Sequence, residues 1–201
     1  MEASYKLTGI SPLLLHSGQA IYPLNHYAKE MRRVAKKKGK TDEDQATISK
    51  VEWFMGLYHS GAEDTISDGE IAVDPAARVV LPALSIEAMI TAGGKKMKLG
   101  NAVKSGVIVM ADALLEYDGP KNIPALFAAG KHIHRVPAKV GLARIMRTRP
   151  IFRTWSATIT VTHDESVMDE PELFQILKTA GQLVGLGDWR PRFGRFSVER
   201  A

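Results

Sequence analysis

Residues 155–163, "WSATITVTH", impose the tightest local constraint on this 201-residue chain. Trp155, Ala157, Ile159 and Val161 alternate with Ser156, Thr158, Thr160 and Thr162. A period of two puts the apolar set on one side of a strand and the hydroxyls on the other. The next segment supplies a cover for the apolar side. Leu173, Ile176, Leu177, Ala180, Leu183 and Val184 form a wide apolar face over 172–184, and Pro171 suits a first helical turn. A glycine-rich loop follows, then "RFSVER" as a last strand.

The earlier part of the chain uses the same elements with additions. "SYKLTGISPLLLHS" predicts a first strand, with Tyr5, Leu7 and Gly9 alternating against polar neighbours, that breaks near Pro12. "NHYAKEMRRVAKKK" predicts a helix capped by Asn25 and stopped at Gly39. Thr41 caps a second helix, with Asp44 where a capping-box acid belongs and Ile48, Val51, Met55 and Tyr58 on one face. "HSGAEDTISDG" reads as a loop. "RVVLPALSIEAMITAGGKKMK" predicts a strand, a Pro-marked turn and a helix capped by Ser85, with Ile86, Met89 and Ile90 inward. "GVIVMADALLEY" predicts a strand buried on both faces, and 124–129 one short helical turn. The segment up to residue 153 predicts a projecting hairpin.

These elements predict an α+β fold: a ferredoxin-like antiparallel sheet with helices on one face, a shape shared with the RNA-recognition fold. The expected organisation is a single domain over 1–201. It carries a basic helical insertion at about 24–58 and an extended hairpin insertion at about 117–153. Cysteine is absent, which removes disulfides, thiolate chemistry and cysteine–zinc sites. The start, "MEASYKLTGI", lacks the pattern of a signal peptide, and no apolar run is long enough to span a membrane. A cytoplasmic protein with no membrane partner is the expectation.

The net charge of +5 says less than its distribution. Seven Lys or Arg and one acid lie between Leu24 and Lys40. Lys95, Lys96, Lys98 and Lys104 form a second group, and 131–153 holds no acid. Acids gather elsewhere, at 42–44, 63–70 and 164–172. Segregation of this kind suggests a polyanion-binding face.

The segment "GLGDWRPRFGRF", residues 185–196, concentrates three glycines, three arginines and three aromatics. Glycines let main-chain N–H groups approach phosphate oxygens. Arg190, Arg192 and Arg195 suit phosphate, and Trp189 suits base stacking. The competing reading is a structural turn in which Trp189 and Phe193 plug the core. Lys95, Lys96 and Lys98 are expected to line the same groove. Arg147, Arg149 and Arg153 would share one face of the hairpin and clamp from it with guanidinium forks. Arg32, Arg33 and Lys36 represent the basic helix, although a helix spreads such a run around its axis. His16 and His132 are the candidates for a catalytic base. His132 and His134 fit one strand face, with no third metal ligand evident and no cofactor expected.

Two of these motifs carry a family likeness. "VVLPALSIEAMITAGGKK" resembles the strand–Pro–Ser–helix segment of the repeat-associated mysterious proteins, the RAMP superfamily of CRISPR systems. "GLGDWRPRFGRF" resembles that family's glycine-rich loop near the C-terminus, and the order of the two agrees. The layout is nearest to the effector backbone subunits (the Cas-seven group), and the short length also suits a solitary phage or mobile-element relative. The resemblance implies a ferredoxin-like palm, projecting insertions, RNA held along a basic groove, and homo-oligomeric or filamentous assembly with other ribonucleoprotein subunits in antiviral defence.

The function expected is therefore non-catalytic binding of single-stranded RNA, or of single-stranded DNA. Two alternatives stand beside it. One is a metal-independent RNA endonuclease using His16 or His132. The other is a phage structural or single-stranded DNA-binding and annealing protein.

Overall fold

A computed structural model describes residues 1–141 and 143–201. In chain order the elements are β1 (Glu2–Gly9), β2 (Leu13–Leu14), α1 (His26–Ala35), α2 (Asp42–Met55), β3 (Thr65–Ser67), β4 (Glu70–Ala72), β5 (Val80–Leu81), α3 (Ala83–Lys96) and α4 (Gly100–Gly106). There follow β6 (Val107–Ile108), β7 (Ala113–Leu114), β8 (Glu116–Tyr117), α5 (Ile123–Ala128), β9 (Ile133–Val140), β10 (Ala143–Phe152), β11 (Trp155–His163), α6 (Glu170–Leu183) and β12 (Phe196–Arg200). The chain is α+β with antiparallel sheets. It forms two compact units: residues 1–14, 80–118 and 152–201 in the first, and 15–79 and 119–151 in the second.

The first unit is built on a sheet whose main path runs β12–β1–β11–β6, each neighbour antiparallel to the next. The alternation at 155–163 governs its packing. Trp155, Ala157, Ile159 and Val161 are buried together with Tyr5 and Leu7 of β1 and Phe196 and Val198 of β12. Ile86, Met89 and Ile90 of α3 and Leu173, Ile176, Leu177 and Ala180 of α6 are buried as well. Each Val, Leu, Ile, Phe or Met side chain among them contributes about 1.5–3 kcal/mol when fully removed from water. Helices α3 and α6 pack closely because Gly93 carries no side chain. A Cβ there would stand 2.7 Å from Ala180 Cβ and 2.9 Å from the Ile176 carbonyl oxygen.

The other face of the sheet carries Ser4, Lys6, Thr8, Thr158, Thr160, Ser197 and Glu199. Ser4 and Thr160 pair through their hydroxyls at 3.0 Å. None of these side chains is aromatic.

Helix α3 starts differently from the expectation. Pro82 occupies the cap position, with no side-chain cap bond, and Ser85 lies inside the helix. Pro fixes the φ needed for entry and has no N–H to satisfy. The Ala83 N–H donates to Asp112 Oδ1 at 2.9 Å, so a carboxylate distant in sequence does the capping. The expected doubly buried strand over "GVIVMADALLEY" is also replaced. It breaks into β6, β7 and β8, and only alternate positions are buried, Val109, Ala113, Leu115 and Tyr117 among them.

In the second unit, the Asn25 side chain accepts the Tyr27 N–H at the start of α1. Thr41 and Asp44 form the expected capping box on α2. The Asp44 side chain also takes an ion pair from Lys37 at 2.6 Å. Within α2 the whole run Val51, Glu52, Trp53, Phe54 and Met55 is buried, wider than the single face that spacing implied. Trp53 packs against Phe54 and Phe127. Strands β9 and β10 form the expected hairpin, with Arg147 opposite Val136 and Arg149 opposite His134. The stretch read as a loop contains β3 and the turn of the β3–β4 hairpin, made by Asp68 and Gly69 at positive φ. No helix among the described residues is long and apolar enough to cross a membrane.

Candidate functional site

The loop between α6 and β12 is fastened by its own main chain. The Gly185 N–H donates to the Ala180 carbonyl and the Leu186 N–H to the Gly194 carbonyl. The Asp188 N–H donates to the Leu14 carbonyl at 2.7 Å and the Gly194 N–H to the Pro12 carbonyl at 2.8 Å. The Arg195 N–H meets Ser11 Oγ at 2.9 Å. These N–H groups are spent inside the fold, so they do not form the phosphate cradle that glycine content suggested.

The glycines serve close approach instead. Gly187 and Gly194 both have φ near 75°. A Cβ on Gly187 would overlap the Leu14 carbonyl oxygen, and one on Gly194 the Leu186 carbonyl oxygen. Side-chain-free backbone is therefore required for both conformation and space.

Side chains point the other way. Trp189 sits at φ 51°, a left-handed backbone rare for a bulky residue. The residue is 38% exposed, whereas Trp53 and Trp155 are buried. Trp189 and Phe193 are neighbours, with ring centroids 6.2 Å apart, and neither is fully buried. The core plug of the competing reading is supplied by Leu186 and Phe196, both 1% exposed.

Trp189, Arg190, Pro191, Asp188 and Gly187 line an open depression of about 530 Å³. Lys96, from the last turn of α3, lines it too. Arg190, Arg192, Arg195, Lys95, Lys96 and Lys98 are all exposed. Their charged heads form no ion pair among the described residues. The geometry gives an exposed flat ring flanked by cations that form no ion pair among the described residues, with Asp188 beside them, on a hydrogen-bonded backbone. That combination suits a ligand with an aromatic face and a negative charge.

The remaining candidates divide. Lys96, Trp189 and Arg190 meet in one depression; Lys95 and Lys98 lie on the same stretch of chain but do not line it. Arg153 lies in the bend between β10 and β11, off the strand that holds Arg147 and Arg149, so the three do not share a strand face. Arg147 is committed to buried Glu52, with Nη1 donating to Oε1 at 2.5 Å.

On α1, Arg33 donates two hydrogen bonds to Glu30, each 2.7 Å, and holds that carboxyl below the usual carboxylate range. Arg32 donates to the carbonyls of Ala28 and Pro23. Lys36 is exposed. Much of the basic helix thus serves local structure.

His132 is 7% exposed, and its Nδ1–H donates to the Ile151 carbonyl at 3.0 Å. Its own carbonyl accepts from Trp53 Nε1 at 2.7 Å. That is a position for holding strands together. His16 is exposed, and its carbonyl accepts from the Tyr58 hydroxyl. Among the described residues no three His, Cys, Asp or Glu side chains gather as metal ligands.

Sequence reasoning missed Glu52 and Asp64, two buried acids of the second unit. A charged residue inside an otherwise apolar run, as Glu52 is in "VEWFM", is the signal that could have found the first. No family model matches the chain, and no curated protein matches it.

Proposed function

We propose that this chain binds single-stranded nucleic acid, RNA in preference to DNA, and performs no chemistry on it. The observation that carries the reading is the shared depression of Lys96, Trp189 and Arg190, with Arg192 and Arg195 uncompensated beside it. A single strand offers both an exposed base to a ring and a phosphate to a cation. Double-stranded nucleic acid keeps its bases stacked away from such a ring.

The sheet supports this location. Its open face carries hydroxyls, Lys6 and Glu199 rather than the aromatic rings on which RNA-recognition sheets stack bases. The contact is therefore assigned to the loop. Strand order β12–β1–β11–β6, with α3 and α6 as the crossovers, supports a ferredoxin-like core of the RAMP kind. On this reading the second unit, residues 15–79 and 119–151, consists of insertions into that core. Work as a repeated backbone subunit of a ribonucleoprotein belongs to the same proposal.

The test is binding of a labelled strand of roughly 30 nucleotides, a length that spans several contact sites. Affinity should fall steeply with salt and be lowered for all sequences alike by combined Arg190→Ala, Arg192→Ala and Arg195→Ala changes. Unchanged affinity in the folded triple variant would remove the loop from the site.

A further inference from the structure

A second cluster, in the other unit, involves none of these residues. His59 follows α2 and forms an isolated antiparallel bridge with Val79. Its side chain is 12% exposed. Nδ1 lies 2.9 Å from the Ser60 carbonyl oxygen, and Nε2 lies 3.1 Å from Asp64 Oδ2. A carbonyl oxygen can only accept, and so can a carboxylate. A neutral imidazole owns one N–H and would turn a bare lone pair toward one of the two.

Asp64 sharpens the requirement. It is 4% exposed, its Oδ1 has no hydrogen-bond partner, and its Oδ2 accepts a hydrogen bond from the hydroxyl of Tyr27 in α1. Without a proton on His59 Nε2, a buried carboxylate would be left with a single phenol donor. Breaking a buried pair in this way is strongly unfavourable.

We propose that His59 is held as an imidazolium whose second proton steadies Asp64, within the same 58–79 segment, where it receives the Tyr27 hydroxyl of α1, making a pH-sensitive latch. Both ring nitrogens are engaged, so the ring is not available as a base toward an outside molecule. The same segment is also tied by the Ser60 N–H to the Arg78 carbonyl and by the Arg78 N–H to Ser60 Oγ. Those bonds do not titrate, so the latch governs only how firmly Asp64 is held against Tyr27.

The surrounding charges agree with the geometry. Asp64, and more weakly the Asp74 carboxylate, favour the charged ring. Arg78 turns its guanidinium to the carbonyls of Pro75, Ala76 and Ala77 instead. Burial and Asp64 keep the Tyr27 phenol protonated well above the ordinary tyrosine range. The hydrogen bond to Asp64 raises His59 above its ordinary 6.5, outweighing burial. The sign follows. Stabilisation by the latch is complete below pH 6.5 and is lost as pH rises through the folded value.

Histidine-selective nitrogen NMR on the full chain tests this, with the His59→Gln variant assigning the signal. Both ring nitrogens of His59 should carry protons at about pH 7, and the ring should titrate above the peptide value of about 6.5. In parallel, the melting temperature should drop by a few degrees more between about pH 6 and about pH 9 in the unaltered chain than in His59→Gln or Asp64→Asn. One bare ring nitrogen at neutral pH would overturn the latch. So would an equal drop in the variants. If neither variant folds, the His59 signal is assigned through its main-chain neighbours in the unaltered protein, and that spectrum decides alone.

Discussion

Glu52 and Arg147 meet at 2.5 Å although 95 positions separate them, and the second Glu52 oxygen takes the Thr148 main-chain N–H at 2.8 Å. One buried carboxylate therefore ties α2 to β10. Glu52→Ala should destabilise the fold by about 1–3 kcal/mol, because it strands the buried Thr148 N–H. Glu52→Gln keeps an acceptor for that N–H and should cost less. Denaturant midpoints at constant slope measure both. Arg147→Ala should likewise be seen mainly in stability, and should leave the salt dependence of nucleic-acid binding almost unchanged.

Gly194→Ala should be among the most damaging single substitutions in the chain. It adds a Cβ into the Leu186 carbonyl at a positive φ. A loss of roughly 3 kcal/mol or more is expected. Gly130→Ala, where a Cβ would meet nothing within 4 Å at φ 71°, isolates the backbone cost alone and should be milder. Thermal unfolding of the pair separates crowding from conformation.

Trp189 gives the binding proposal an optical readout. Of the three tryptophans, Trp53 and Trp155 are 0% and 2% exposed. Quenching of indole emission by an added strand should therefore come from Trp189 and vanish in Trp189→Phe. Trp189→Ala should weaken binding by about 1–3 kcal/mol, the worth of a stacked base. Full quenching retained in Trp189→Phe would move the contact elsewhere.

Acid should loosen the end of the C-terminal strand. Arg200 of β12 grips both oxygens of Glu170 at 2.9 Å, and the Tyr5 hydroxyl of β1 donates to Oε1 at 3.0 Å. The Arg200 hydrogen bonds hold the Glu170 carboxyl below its ordinary 4.5. Its contribution is thus present above pH 4.5 and fades as pH falls through the lower folded value. In Glu170→Gln the stability-against-pH curve should be flatter below that point, as followed by circular dichroism.

Where side chains repeat with a period, the sequence was readable. The alternation of Trp155 to Val161 identifies β11, and Thr41 with Asp44 marks the start of α2. The Asp68–Gly69 turn was equally legible as a hairpin signal, yet polar neighbours made that stretch look like plain loop. The cap of α3 was not legible, because its acceptor, Asp112, arrives from a distant segment. Cation clusters misled in the same way. Arg147 looks free in sequence, and only folding brings the buried acid Glu52 against it, whereas Arg33 pairs with Glu30 at an i,i+3 spacing that the sequence displays. Arg190, Arg192 and Arg195 sit in a loop whose only acid is Asp188, and they stay exposed.

Because Leu14 and Pro12 clamp the 185–195 loop through its amides, its shape is settled when the chain folds and not when something arrives. An incoming molecule has little disorder to remove there, so the entropic toll of association falls mainly on the visitor. Encounter should accordingly be a single fast phase whose rate is set by long-range attraction to the arginines, without a slower closing step after first contact.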